Sequence, residues 1–285
     1  MHVAIIGARG QLGHELVKVF GPNCAALDVG EVDIRDPAGL RKALAACRPD
    51  VVINAAAYHN VPDCEKDAAR AFAVNAVGVK NLRDACLAAG LGLVQISTDY
   101  VFDGTKGTAY TEDDAPNPVN TYGVSKLAGE FFARQVPLHH VVRVSSLFGI
   151  TGSVAKGGVN FVKLMLEAAR TKDRVAVSSN IFSSPTYAVD AAVRIREMLE
   201  AGAPPGVYHV TNDGECSWHD LAAAVFDEIG AGIALEPRIE TPELEGGLRR
   251  PLRTALRSLK AKPLRPWREA LKDYLEEERA HDTVA

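Results

Sequence analysis

Short apolar runs alternate with amphipathic stretches up to about Gly149. Val3 to Gly7, Cys24 to Asp28, Val51 to Asn54, Leu93 to Ser97 and His140 to Ser145 are brief, largely apolar and closed by glycine or polar residues. That pattern predicts buried strands. Helical periodicity lies between them. Gln11 to Phe20 puts Leu12, Leu16, Val17 and Phe20 on one face. Pro37 to Cys47 opens with Asp36 as N-cap and a proline in the first turn. Ala68 to Ala89 reads as one long helix stopped by Gly90, and Asn120 to Arg134 as another. Apolar strands alternating with helices predict an α/β fold, a Rossmann-type doubly wound parallel sheet covered on both faces. Such sheets bind ligands beyond the carboxyl ends of their strands.

The regularity changes after Gly149. Thr151 to Gly158, rich in glycine and small residues, predicts a mobile loop. Val159 to Arg170, Thr186 to Glu200, Ser217 to Ile229 and Trp267 to Arg279 predict helices. Arg174 to Val177 predicts a short strand, and Val207 to Val210 a run that rejoins the main sheet. His281 to Ala285 is expected to fray.

The length of 285 residues suffices for one large domain or two modest ones. A net charge of −4 without a basic run argues against nucleic-acid or anionic-membrane binding. No apolar stretch reaches the roughly 18 residues that span a bilayer. The N-terminus enters a strand-like run with no basic leader region, so a cytoplasmic protein is expected. Five scattered cysteines lack ligand spacing and fit reduced thiols. No His/Asp/Glu cluster calls for a metal.

Gly7-Ala8-Arg9-Gly10-Gln11-Leu12-Gly13 follows the first strand and opens the first helix. Glycines at such a turn let the backbone approach a pyrophosphate, and the helix N-terminus favours its charge. The spacing is G-x-x-G-x-x-G rather than the G-x-G-x-x-G of simple dehydrogenases. Gly7, Gly10, Gln11, Leu12 and Gly13 are therefore candidate dinucleotide contacts. Asp28 ends the second strand, where an acid meets the adenosine ribose and favours NAD. Arg9 could instead offset the 2′-phosphate of NADP, so both cofactors stay open. Asp33 and Ile34 could flank the adenine, a solvated turn being the alternative. The expected division is a dinucleotide-binding domain over 1–149, rejoined by about 186–211. A smaller α+β substrate-binding cap takes 150–185 and 212–285.

Tyr122 and Lys126 stand four residues apart on one helix face. A phenol ordinarily ionises near pH 10, and a neighbouring ammonium favours the phenolate. The pair suits the proton donor and acceptor of a carbonyl reductase.

Gly7 to Gly13, Asn54 to Ala57, Asn75, Ser97-Thr98-Asp99-Tyr100-Val101-Phe102-Asp103-Gly104 and Asn117 to Glu130 occur in an order that resembles the extended short-chain dehydrogenase/reductases. Within them the closest look is the dTDP-4-dehydrorhamnose reductase branch. Asn160-Phe161, Ser184 to Tyr187 and Arg250-Pro251 also fit. The resemblance implies reduction of a nucleotide-linked 4-keto-6-deoxy sugar by NADP or NAD. It implies that Tyr122 protonates the alkoxide and that Lys126 lowers the Tyr122 pKa and bonds the nicotinamide ribose. Thr98 would polarise the carbonyl, and Asp99 and Ser146 would contact substrate. Ala55, Ala56, Ala57 and Tyr58 would pack on the cofactor, and Asn75 would order a water or Lys126. The partner would be the nucleotide sugar, for a monomer or homodimer.

Three positions depart from the branch. His59 stands where a hydroxyl is common. Ser146 and its neighbours replace an aromatic after Arg143. The Ser179 to Thr186 loop lacks the usual glutamine and glycine. All three bear on the pocket and none on the hydride chemistry. Two alternatives follow: an epimerase or dehydratase of the same fold, or a non-catalytic dinucleotide-binding subunit like the regulatory subunit of methionine adenosyltransferase. Tyr100, where dehydratases carry a second acid, argues against dehydration.

Overall fold

The computed structural model describes residues 1–152, 157–243 and 247–282. In chain order the strands are β1 (Val3–Ile6), β2 (Cys24–Leu27), β3 (Val51–Asn54), β4 (Gly92–Thr98), β5 (His139–Val144), β6 (Leu147–Phe148), β7 (Arg174–Ser178), β8 (Phe182–Ser183), β9 (Thr186–Tyr187), β10 (Gly206–His209), β11 (Cys216–Ser217) and β12 (Ala234–Arg238). The α-helices are α1 (Gln11–Phe20), α2 (Pro37–Cys47), α3 (Val61–Lys66), α4 (Ala68–Phe72), α5 (Val79–Ala89), α6 (Thr121–Ala133), α7 (Phe161–Thr171), α8 (Ala188–Glu200), α9 (Trp218–Ile229) and α10 (Trp267–Asp282).

The main sheet runs β10-β5-β4-β3-β1-β2, parallel throughout. Side chains alternate across it. Val3 and Ile5 enter a core with Leu12 and Leu16 of α1 and Ile195 of α8. Ala4 and Ile6 enter the opposite core with Leu40 of α2 and Leu82 of α5. Burial on both faces is why β1 carries no polar alternation, whereas β2, expected to be buried, is only partly so because it lies at the sheet edge. The strand order reverses between β1 and β3, β2 lying on one side of β1 and β3 on the other, and the crevice of a doubly wound sheet opens at that switch point.

A third core lies in the later part of the chain, among α7, α9 and α10. Trp267, Ala270, Leu271, Tyr274 and Leu275 of α10 enter it at helical spacing. Three small pairings brace it: parallel β7 with β12, antiparallel β8 with β11, and parallel β6 with β9.

Several boundaries differ from expectation. The predicted helix over Ala68 to Ala89 contains a π-helical turn at Ala73–Gly78, and α3 precedes it, capped by Asn60. The helix predicted from Val159 starts at Phe161, because the Asn160 side chain caps it by accepting from Lys163 N at 2.9 Å. Thr186 and Tyr187 form β9 before α8 begins. Asp36 and Ser217 are N-caps as their residue types predict, Ser217 in a capping box with Asp220. Helix α10 runs on to Asp282, so His281 and Asp282, at the start of the end expected to fray, are helical; residues 283–285, and residues 153–156 of the loop predicted over Thr151 to Gly158, lie outside the described residues.

Candidate active site

The glycine loop joins β1 to α1. Gly7 has φ +81°, and a Cβ there would sit 2.7 Å from the Ala56 nitrogen. A Cβ on Gly13 would sit 2.0 Å from the Gly7 carbonyl oxygen. Only glycine allows this close folding of the loop onto α1 and the β3 end. Gly10 is the N-cap and brings no side chain to the helix start. The first-turn N–H groups therefore remain open to an anion. Leu12 is buried in the core, and Gln11 accepts from the Asn160 amide at 3.3 Å, tying the loop to the later part of the chain.

Beyond β2, charges interlock at the surface. Asp28 accepts from the main-chain nitrogens of Arg9 and Val29, both at 2.8 Å. The Arg9 guanidinium pairs with Glu31 at 2.8 Å. Asp33 is gripped by Arg35, whose side-chain hydrogen bond draws the Asp33 pKa down. Ile34 packs into the core against Gly78 rather than lying open.

At the β3 end, Ala55, Ala56, Ala57 and Tyr58 are half-buried beside the loop. Asn75, presented by the π turn, brackets Tyr58: it donates to the Tyr58 carbonyl at 2.8 Å and accepts from the Tyr58 nitrogen at 2.9 Å. It also donates to the Ser125 hydroxyl at 3.0 Å, which in turn donates to the Tyr122 carbonyl at 2.8 Å. Asn75 thus fixes the backbone around the pocket, where a water or Lys126 was expected as its partner.

Helix α6 starts at the Asn120 cap, which accepts from Gly123 N at 2.9 Å. Glu65 of α3 holds the same end through Thr121. Tyr122 stacks edge-on against Tyr100, with ring centroids 5.9 Å apart. Burial drives the Tyr122 phenol well above its ordinary value; a bond with Thr98 opposes this and the Asp99 charge adds to it. Lys126 donates to the Ile96 carbonyl at 2.6 Å. Burial pushes its pKa down to about 8, against the opposing charge of Glu130. Desolvation is the largest influence on Tyr122, and the Lys126 ammonium is directed at a backbone carbonyl.

Asp99 is buried at the end of β4. It receives the hydroxyls of Thr254 at 2.5 Å, Ser145 at 2.9 Å and Thr98 at 3.0 Å. Burial raises its pKa, and these three bonds oppose the rise. Deeper still, Arg143 of β5 grips both oxygens of Glu130 at 2.9 and 2.7 Å, and Ser97 donates to Glu130 at 2.5 Å.

A family profile described as the RmlD substrate binding domain matches residues 1–280. This chain belongs to that family. It is 37% identical to a spore coat polysaccharide biosynthesis protein of Bacillus subtilis, over 96% of this chain and 97% of the relative. It is 36% identical to a dTDP-4-dehydrorhamnose reductase of Streptomyces griseus, over 94% and 90%. The crystal structure of a Bacillus anthracis dTDP-4-dehydrorhamnose reductase in complex with NADP superposes with a TM-score of 0.90 at 32% identity, covering 97% of this chain and 99% of that one.

The three departing positions are placed as follows. Ser146 is exposed with a left-handed backbone, φ +42°, and donates to the Ser183 hydroxyl at 2.8 Å. The Asn180 amide brackets the Glu240 main chain, so that loop is held from the β12 side. His59 sits half-buried after the β3 end. The sequence reading missed Thr254 and Ser145, and noted Arg250 only as part of the Arg250-Pro251 resemblance. Arg250 acts electrostatically on Tyr100, and its Nε is buried with no hydrogen-bond partner among the described residues. No group of three or more His, Cys, Asp or Glu among those residues is placed to hold a metal. Nor is any described helix long and apolar enough to cross a membrane.

Proposed function

We infer that this protein is an NAD(P)H-dependent reductase of a nucleotide-linked 4-keto-6-deoxy sugar. The reaction is most like that of dTDP-4-dehydrorhamnose to dTDP-rhamnose, in the synthesis of cell-surface polysaccharide precursors. The observation that carries this reading is the juxtaposition of Tyr122, Thr98 and buried Lys126 at the carboxyl edge of a sheet whose β1 turn suits a dinucleotide.

The tight loop that Gly7 and Gly13 permit, with the α1 terminus free of a side-chain cap, fits a pyrophosphate. Residues 1–149 with about 186–211 would hold the dinucleotide, and 150–185 with 212–285 would shape the substrate pocket. The bound nicotinamide supplies the hydride for the sugar C4 carbonyl. Tyr122 supplies the proton to the developing alkoxide, and its raised pKa keeps it in the donor form. Lys126, as an ammonium, would stabilise the site's negative charge and bond a ribose hydroxyl in addition to the Ile96 carbonyl it already holds. Thr98 is directed at Asp99, so it reaches the carbonyl oxygen by exchanging that bond. Asp99 then acts by holding Thr98 and Ser145 rather than through free oxygens. The Arg250 Nε, buried without a partner among the described residues, would suit the substrate diphosphate, whose oxygens can take the planar guanidinium fork in a bidentate pair.

The test is turnover of NADPH or NADH by purified protein with dTDP-linked 4-keto-6-deoxy sugars. Tyr122→Phe should lower kcat by about 10²- to 10⁴-fold with cofactor Kd unchanged. Retention of most activity by that variant would refute the proton-donor assignment.

A further inference from the structure

The charges beyond β2 form a closed ring. The Arg9 nitrogen donates to Asp28, the Arg9 guanidinium pairs with Glu31 Oε1, and Glu31 Oε2 accepts from the Asp28 nitrogen at 2.9 Å. Asp28 stands at the strand end where a doubly wound fold receives the adenosine ribose. Its backbone bond to Arg9 puts that residue beside the same position. Both Asp28 oxygens already accept main-chain N–H groups, so Asp28 is anchored. Glu31 and Arg9 are the exposed members, 45% and 70% accessible, and are the pair free to rearrange.

A ribose 2′-hydroxyl is neutral and leaves the pair intact. A 2′-phosphate adds up to two negative charges beside two carboxylates, and the cation nearest to it by chain position is already taken by Glu31. We propose that Glu31 sets the cofactor preference: by holding Arg9 it favours NADH, and NADPH binds only as Arg9 transfers from the carboxylate to the phosphate. This rests on the reductase reading of the site and adds the residue that discriminates between its two cofactors.

Direct binding titrations of NADH and NADPH, by quenching of protein fluorescence in the full chain without sugar, test this apart from catalysis. Glu31→Gln keeps an oxygen for the Asp28 nitrogen and removes the charge. It should tighten NADPH about three- to five-fold, the scale of an exposed charge pair, and leave NADH within about two-fold. Arg9→Ala should weaken NADPH by a similar factor and leave NADH unchanged. The Glu31→Gln gain should shrink in high salt and in the Arg9→Ala background. Equal shifts for both cofactors in Glu31→Gln, or NADPH binding indifferent to Arg9→Ala, would overturn the proposal. If the unaltered protein binds neither dinucleotide, the reductase reading itself fails and the proposal falls with it.

Discussion

The two halves of the sheet edge use the same ion-pair chemistry at different depths. Beyond β2, Arg9 with Glu31 and Arg35 with Asp33 stand in water, the latter pair 49% and 34% exposed. Beneath β4 and β5, Arg143 and Glu130 are 3% and 1% exposed, and Asp99 and Lys126 lie close to the same layer. Water screens the first set, so each pair is weak and easily exchanged. Around the second set, desolvation makes every partner obligatory. The cofactor side can therefore be retuned by single charges, whereas the reacting side tolerates no loss of a partner.

The largest expected effect is on the deep pair. Glu130→Ala leaves Arg143 charged and buried, and should cost about 3–5 kcal/mol of stability, read from chemical denaturation. A loss below about 1 kcal/mol would erase the distinction between the halves. Asp99→Ala strands three hydroxyls and should cost about 1–3 kcal/mol, together with a fall in kcat from a misaligned Thr98. Asp99→Asn, which keeps an acceptor, should recover part of both; equal damage from the two variants would argue that charge rather than bonding is what matters there.

Lys126 gives an intermediate effect, visible in pH. Its pKa is lowered to about 8, so the ammonium is present below that pH and lost above it. Tyr122 stays protonated to higher pH still. Reduction should then decline as pH rises through about 8, and kcat/KM profiles should lose that inflection in Lys126→Met. The smallest effect belongs to Arg35→Ala, at or below about 1 kcal/mol and fading as salt is raised.

How much was legible follows the same depth. Val3 to Ile6 announce a strand because both faces are covered, and Gly7 to Gly13 announce their turn because no other residue fits. Tyr122 and Lys126 share a helix face by spacing alone. Thr254 meeting Asp99, and Arg143 meeting Glu130, come from tertiary packing, which no local period encodes. The two-residue strands β6, β8, β9 and β11 are too short to carry a period at all. Asp28 follows β2 as read, yet its carboxylate and that of Asp33 are already engaged by Arg9, Val29 and Arg35, which the spacing does not specify.

The π turn at Ala73–Gly78 has one more consequence. Its wider i→i+5 bonding holds one residue more than an α-helix would over the same rise. This stretch can therefore absorb a one-residue deletion by tightening into regular α-helix, a change of length that a packed helix ordinarily rejects. The fold would survive such a shortening. Asn75 would be turned away from Tyr58 and Ser125, so the chain could shed a residue here and keep its architecture while losing the alignment of its pocket.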